Sequence, residues 1–179
     1  MPQNLTSSIS DQLMLAHATE FMHPNWSYTL SYGLYKKDTP TAVAKRLKAS
    51  NGFKSFPVSG RPANFPKVGQ FLPLTTATRN FNCTFLSQFS GSDGSEQWWG
   101  FRFNSTKNHI DGAGSWIKFT FVKSLHKGEN KLYIVASIAK DRPAGMTHPA
   151  YIAGAKLMWY QFATNIKFDD KIMYTGRCG

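Results

Sequence analysis

Between Trp26 and Leu34 the chain alternates without a break. Trp26, Tyr28, Leu30, Tyr32 and Leu34 are apolar or aromatic, and Ser27, Thr29, Ser31 and Gly33 stand between them. Successive side chains of a strand point to opposite faces, so this period of two predicts a strand over 26–35 with one face in a core and one in water. The pattern returns further on. Phe81, Cys83, Phe85 and Phe89 alternate in one run, and Trp99, Phe101 and Phe103 in the next. Gly91-Ser92-Asp93-Gly94-Ser95 between them is a turn by composition. Ile117, Phe119 and Phe121 are expected to pair with Leu132, Ile134, Ala136 and Ile138 across Lys127-Gly128-Glu129-Asn130.

A near-continuous apolar run, Leu157 to Phe162, reads as a strand covered on both faces or an interface, and Phe168 to Tyr174 as a last strand. Ser8 to Met22 is the best helix candidate: Ser8 and Asp11 resemble a capping box, and Pro24 ends the run. Seven or eight strands joined as antiparallel hairpins predict a β-sandwich or jelly roll with a short N-terminal helix. At 179 residues the chain is one domain, 1–179, with a helical extension over 1–25. Five Trp, seven Tyr and 14 Phe supply a large payload for its core.

Charge is distributed unevenly. The chain carries 21 Lys and Arg against 10 Asp and Glu, a formal net charge of +11. Residues 36–67 hold eight of the basic residues, with Asp38 as their only acid. Thr41 to Ser50 reads as a short helix presenting Lys45, Arg46 and Lys48. Pro57, Pro62, Pro66, Gly52 and Gly60 then predict an irregular loop with at most brief edge strands. Lys54 and Arg61 lie in this loop among Phe53, Phe56 and Phe65, an interleaving suited to phosphates and bases together. The competing reading is a solvated basic loop whose phenylalanines plug the core. A field of this sign attracts polyanions, and phosphate contacts would make binding salt-dependent.

Catalytic patterns are sparse. His17, His23, His109, His126 and His148 show no metal-ligand spacing, and no nucleophile elbow, phosphate-binding loop or dinucleotide fingerprint is present. The expectation is no metal and no cofactor. His109 and Asp111 stand two apart and read as a polar turn rather than an acid–base pair. A site assembled from His109, His148 and Asp141 is the enzyme alternative. Asp169 and Asp170 are adjacent, so their side chains diverge in a strand. Cys83 is expected as a buried small hydrophobe and Cys178 as a free thiol.

Trp98 and Trp99 form the second candidate site. As neighbours on a strand they must face opposite sides, one to the core and one to solvent or an interface. Thr84-Phe85-Leu86 leading into Gln97-Trp98-Trp99-Gly100-Phe101-Arg102 resembles the Trp-Trp strand of actinoporin-type pore-forming proteins. The resemblance covers about 20 residues and implies a basic β-sandwich with an N-terminal amphipathic helix that acts on membranes.

The leading expectation is a non-enzymatic, self-assembling subunit resembling a small viral coat jelly roll. Its partners would be copies of itself and nucleic acid or another polyanion, held by Lys45, Arg46, Lys48, Lys54 and Arg61. A membrane- or glycan-binding sandwich is the alternative, and a loop-built enzyme comes third. No apolar run approaches the roughly 20 residues that span a bilayer. The first ten residues lack a signal-peptide pattern, which points to a cytoplasmic or virion-associated protein.

Overall fold

Each run of two-residue alternation becomes a strand. The computed structural model describes residues 26–140 and 146–168. Its strands are β1 (Tyr28–Gly33), β2 (Phe71–Leu72), β3 (Cys83–Ser92), β4 (Glu96–Ser105), β5 (Trp116–Ser124) and β6 (Asn130–Ser137). They form one curled antiparallel sheet in the order β1-β6-β5-β4-β3-β2. Two helices join it, α1 (Pro40–Lys48) and α2 (His148–Lys167), with a 3-10 turn at Gly52–Ser55.

The hairpins follow the turn chemistry. Asp93 closes β3–β4 by accepting from the amides of Ser95 and Glu96, both at 2.8 Å. These bonds hold its carboxyl below the usual range. The expected β5–β6 pairing is observed, with Phe119 opposite Ile134 and Phe121 opposite Leu132. β1 closes the series on β6, placing Tyr28 opposite Ala136.

The sheet is antiparallel and β-rich as expected, but it is one sheet of six strands. Among the described residues no second sheet faces it, so the sandwich or jelly roll of seven to eight strands does not describe them. α2 takes that place on the concave face, burying Tyr151, Trp159, Phe162, Ala163 and Ile166. Leu157 to Phe162 is therefore helix, not strand. Thr147 caps α2 by accepting from the Ala150 amide, and Pro149 sits in the first turn, where its missing N–H costs nothing. The helix expected over 8–22 and the strand beyond Phe168 lie outside the described residues.

A bulge in β3 resets the alternation. Phe85 pairs with Phe103, yet the next registered pair is Ser87 with Arg102, so Leu86 is the extra residue. Beyond it the parity inverts. Phe89, expected beside Phe85, lies instead on the convex face over Gly100.

The basic segment is more ordered than a loop. α1 starts at an N-cap Thr39 and buries Val43 and Leu47. Phe53 and Phe56 are fully buried and stack at 5.1 Å, and Phe65 packs edge-on against Phe53 and Phe85. Phe53 and Phe56 thus fill the core and are unavailable for stacking on bases, and Phe65 is partly buried against it. A single bridge, Ser59 to Thr75, is the brief edge pairing.

Candidate functional site

The core is not filled evenly along α2. Toward its C-terminal half Trp159 and Phe162 interlock with Phe56, Phe119 and Phe121 at centroid distances of 4.9 to 6.0 Å. Toward the N-terminal half the residues that line the space above the sheet are small: Ala150, Gly154 and Ala155. They leave a cavity of about 240 Å³ between α2 and the concave face. Its wall is chiefly carbon, with Val58, Leu74, Phe81, Ile117, Met146 and Met158 contributed by several parts of the chain.

One end of this cavity is polar. The β4–β5 connection carries His109 and Asp111, and α2 brings Tyr151 against them. Asp111 Oδ1 accepts from the Tyr151 hydroxyl at 2.9 Å. Its own amide donates to His109 Nδ1 at 3.0 Å, and Ser115 Oγ donates to its carbonyl at 2.8 Å. Asp111 Oδ2 stands 3.6 Å from His109 Nδ1. Burial pushes the Asp111 carboxyl up to about 6, against smaller opposing effects from the Tyr151 bond and the charge of Lys140. Burial pushes the His109 imidazole down to about 4. At neutral pH the pair is thus a carboxylate beside an uncharged ring. Since Nδ1 accepts the Asp111 amide, the ring proton resides on Nε2. Tyr151 is pushed upward by burial, then by Tyr28 and by the adjoining carboxylate, and keeps its proton.

Arg79 also lines the cavity, as does Cys83. The thiol of Cys83 is free, buried and pushed up to about 12, so it serves as packing rather than as a nucleophile. Trp159 Nε1 donates to the Tyr28 hydroxyl at 3.0 Å, which satisfies two further wall groups.

The expected polyanion residues have diverged in role. Arg46 is half-buried and bonds Asp38 Oδ1 at 2.5 Å and the Ile166 carbonyl at 3.1 Å, clamping α1 to the end of α2. Arg61 donates to the carbonyls of Lys54 and Val58. Lys45, Lys48 and Lys54 are exposed, with Lys48 Nζ 5.4 Å from the Trp99 ring centroid. Trp98 and Trp99 do face opposite sides. Trp99 is in the main core, whereas Trp98 packs with Val122, Tyr133 and Val135 on the convex face.

His109 and Asp111 come together at the cavity, but His148 stands exposed at the start of α2, edge-on to Trp26 at 5.3 Å. Asp141 lies outside the described residues. Sequence reasoning missed Tyr151, because Leu157 to Phe162 of its helix reads as a strand. The Thr147-His148-Pro149 start signal was the available clue. Among the described residues no group of three or more His, Cys, Asp or Glu is placed to hold a metal ion. Nor is any helix among them long and apolar enough to cross a membrane.

No protein-family model matches the chain, and no curated protein does. Among solved structures it is similar to protein MLL2253 from Mesorhizobium loti, at a TM-score of 0.46 and 14% identity, over 80% of this chain and 98% of that one. It is also similar to the hypothetical protein jhp0584 from Helicobacter pylori, at a TM-score of 0.41 and 8% identity, over 79% of this chain and 86% of that one.

Proposed function

We propose that this is a non-enzymatic binding protein that holds one small, largely apolar molecule between α2 and the sheet. The observation that carries this reading is the cavity of about 240 Å³ in an otherwise aromatic-packed core. Carbon walls converging on a few polar groups are the common form of a small-molecule site. Titration with N-phenyl-1-naphthylamine, whose emission rises in apolar surroundings, tests the reading. Saturable binding near one to one is expected, weakened at least tenfold by Ala155→Phe, which fills the cavity, and unchanged by the exposed Leu157→Ser. No saturable emission change would remove the reading.

A second reading concerns the outer surface. The exposed amines of Lys45, Lys48 and Lys54 on a chain of formal charge +11 support contact with nucleic acid or another polyanion. The edge strand β1, flanked by exposed Leu157 and Tyr160, supports self-association as in a coat-like subunit. Sedimentation at moderate salt, with and without RNA, tests both. A monomer of 20.1 kDa indifferent to RNA would eliminate this second reading. The membrane or glycan alternative has least support, since the Trp98 ring is engaged against Gly91.

A further inference from the structure

We infer that the molecule held in the cavity carries a neutral hydroxyl group, which donates to Asp111 Oδ2. The inference rests on the cavity being a ligand site and adds what the ligand must present at its polar end.

Of the two Asp111 carboxylate oxygens, Oδ1 is taken by Tyr151. Among the described residues no hydrogen bond is donated to Oδ2. His109 Nδ1 is occupied by the Asp111 amide, which leaves Nε2–H as the ring's donor. Among the described residues that donor has no acceptor. The polar end thus offers one free acceptor and one free donor on neighbouring side chains that both line the cavity. A buried polar group left without a partner costs more than a made bond returns, so an occupant that displaces water from Asp111 Oδ2 must donate to it in turn. A hydroxyl group makes that donation without carrying a charge.

Charge disfavours the two nearest competitors. A ligand carboxylate would be brought against the Asp111 carboxylate. A ligand ammonium would enter a wall that already includes Arg79, beside an Asp111 whose field is partly offset by Lys140. An uncharged hydroxyl meets neither cost.

Isosteric probes decide the matter by displacement of N-phenyl-1-naphthylamine at pH 7.5. 2-Naphthol is expected to bind at least about tenfold more tightly than 2-methylnaphthalene, the ratio that one hydrogen bond to a charged group supplies. It should also bind more tightly than 2-naphthoate. Asp111→Asn should cut the naphthol preference at least threefold while leaving 2-methylnaphthalene affinity within threefold, which also shows that the cavity is intact. Equal affinity for 2-naphthol and 2-methylnaphthalene in the unaltered protein, or a preference for 2-naphthoate, would overturn the hydroxyl inference and leave the apolar site standing. Failure of every probe, N-phenyl-1-naphthylamine included, would overturn both.

Discussion

The Tyr151 hydroxyl donates to Asp111 Oδ1 at 2.9 Å, joining α2 to the β4–β5 connection through two buried side chains. Truncating the donor leaves a buried carboxylate short of a partner, at a cost of about 1–3 kcal/mol. Tyr151→Phe should therefore lower the stability measured by urea unfolding at pH 7 by that amount. The loss should shrink at pH 4.5, where the carboxyl of Asp111 is protonated and places a smaller demand on the bond.

His109 and Asp111 should make opposite contributions to the pH dependence of stability. Asp111 is raised from 3.8 to about 6, so its contribution is full below 3.8 and is lost as pH rises through 6. His109 is lowered from 6.5 to about 4, so its contribution is full above 6.5 and is lost as pH falls through 4. Between pH 4 and 6 the folded pair holds one proton on Asp111, and the unfolded pair holds one proton on His109. Equal proton counts give no slope, and the pair contributes little pH dependence. Asp111→Asn should expose the histidine, with stability falling by about 3 kcal/mol on acidification from pH 6.5 to 4. His109→Phe should give the reverse trend, a gain of similar size from pH 6 to 3.8. Unfolding midpoints across this range check both signs.

Strand positions were legible because period-two alternation is a local signal that the sheet preserves: β1, β4, β5 and β6 fall where Tyr28, Phe101, Phe119 and Ile134 predict. Tertiary features were not. The bulge at Leu86 inverts the facing of Phe89, and no residue in that run announces it. Leu157 to Phe162 lacks the alternation of a strand, but a helix buried along part of its length reads as a continuous apolar run over a short window. Its start signal, Thr147 followed by Pro149, lies ten residues upstream. His109 and Asp111 were visible as a pair. Their chemistry depends on Tyr151 and on the surrounding burial, which adjacent sequence does not encode.

Gly91 and Gly100 both lie beneath aromatic rings on the convex face, yet they should tolerate alanine differently. A Cβ on Gly91 would fall 2.5 Å from the Trp98 ring, with only side-chain atoms of Trp98 as its closest neighbours. A Cβ on Gly100 would fall 2.5 Å from the Phe89 ring and also against the carbonyl oxygen of Phe119, which belongs to the β4–β5 ladder and cannot step aside. Gly100→Ala should cost about 3 kcal/mol, at the upper end for overpacking, and Gly91→Ala about 1 kcal/mol. Adding Trp98→Ala should relieve the clash at Gly91, whereas Phe89→Ala should leave most of the Gly100 cost in place. Thermal or urea unfolding of the single and double variants measures this.

Arg46 and Lys45 are neighbours in the basic segment with different physical roles. The Arg46 guanidinium faces Asp38, whose side chain is fully buried, and also reaches the carbonyl of Ile166 on α2. Removing it strands a buried carboxylate, so Arg46→Gln should cost about 3 kcal/mol in urea unfolding. Lys45 is exposed, and Lys45→Gln should change stability by less than about 0.5 kcal/mol. Binding to a polyanion such as heparin or RNA should rank the other way. Lys45→Gln should lower the salt slope of binding by about one phosphate contact. Arg46→Gln, studied well below its unfolding transition, should leave that slope unchanged because its donors are already committed within the protein. An equal effect of the two substitutions on the slope would show that the Asp38 pairing does not withhold Arg46 from anions.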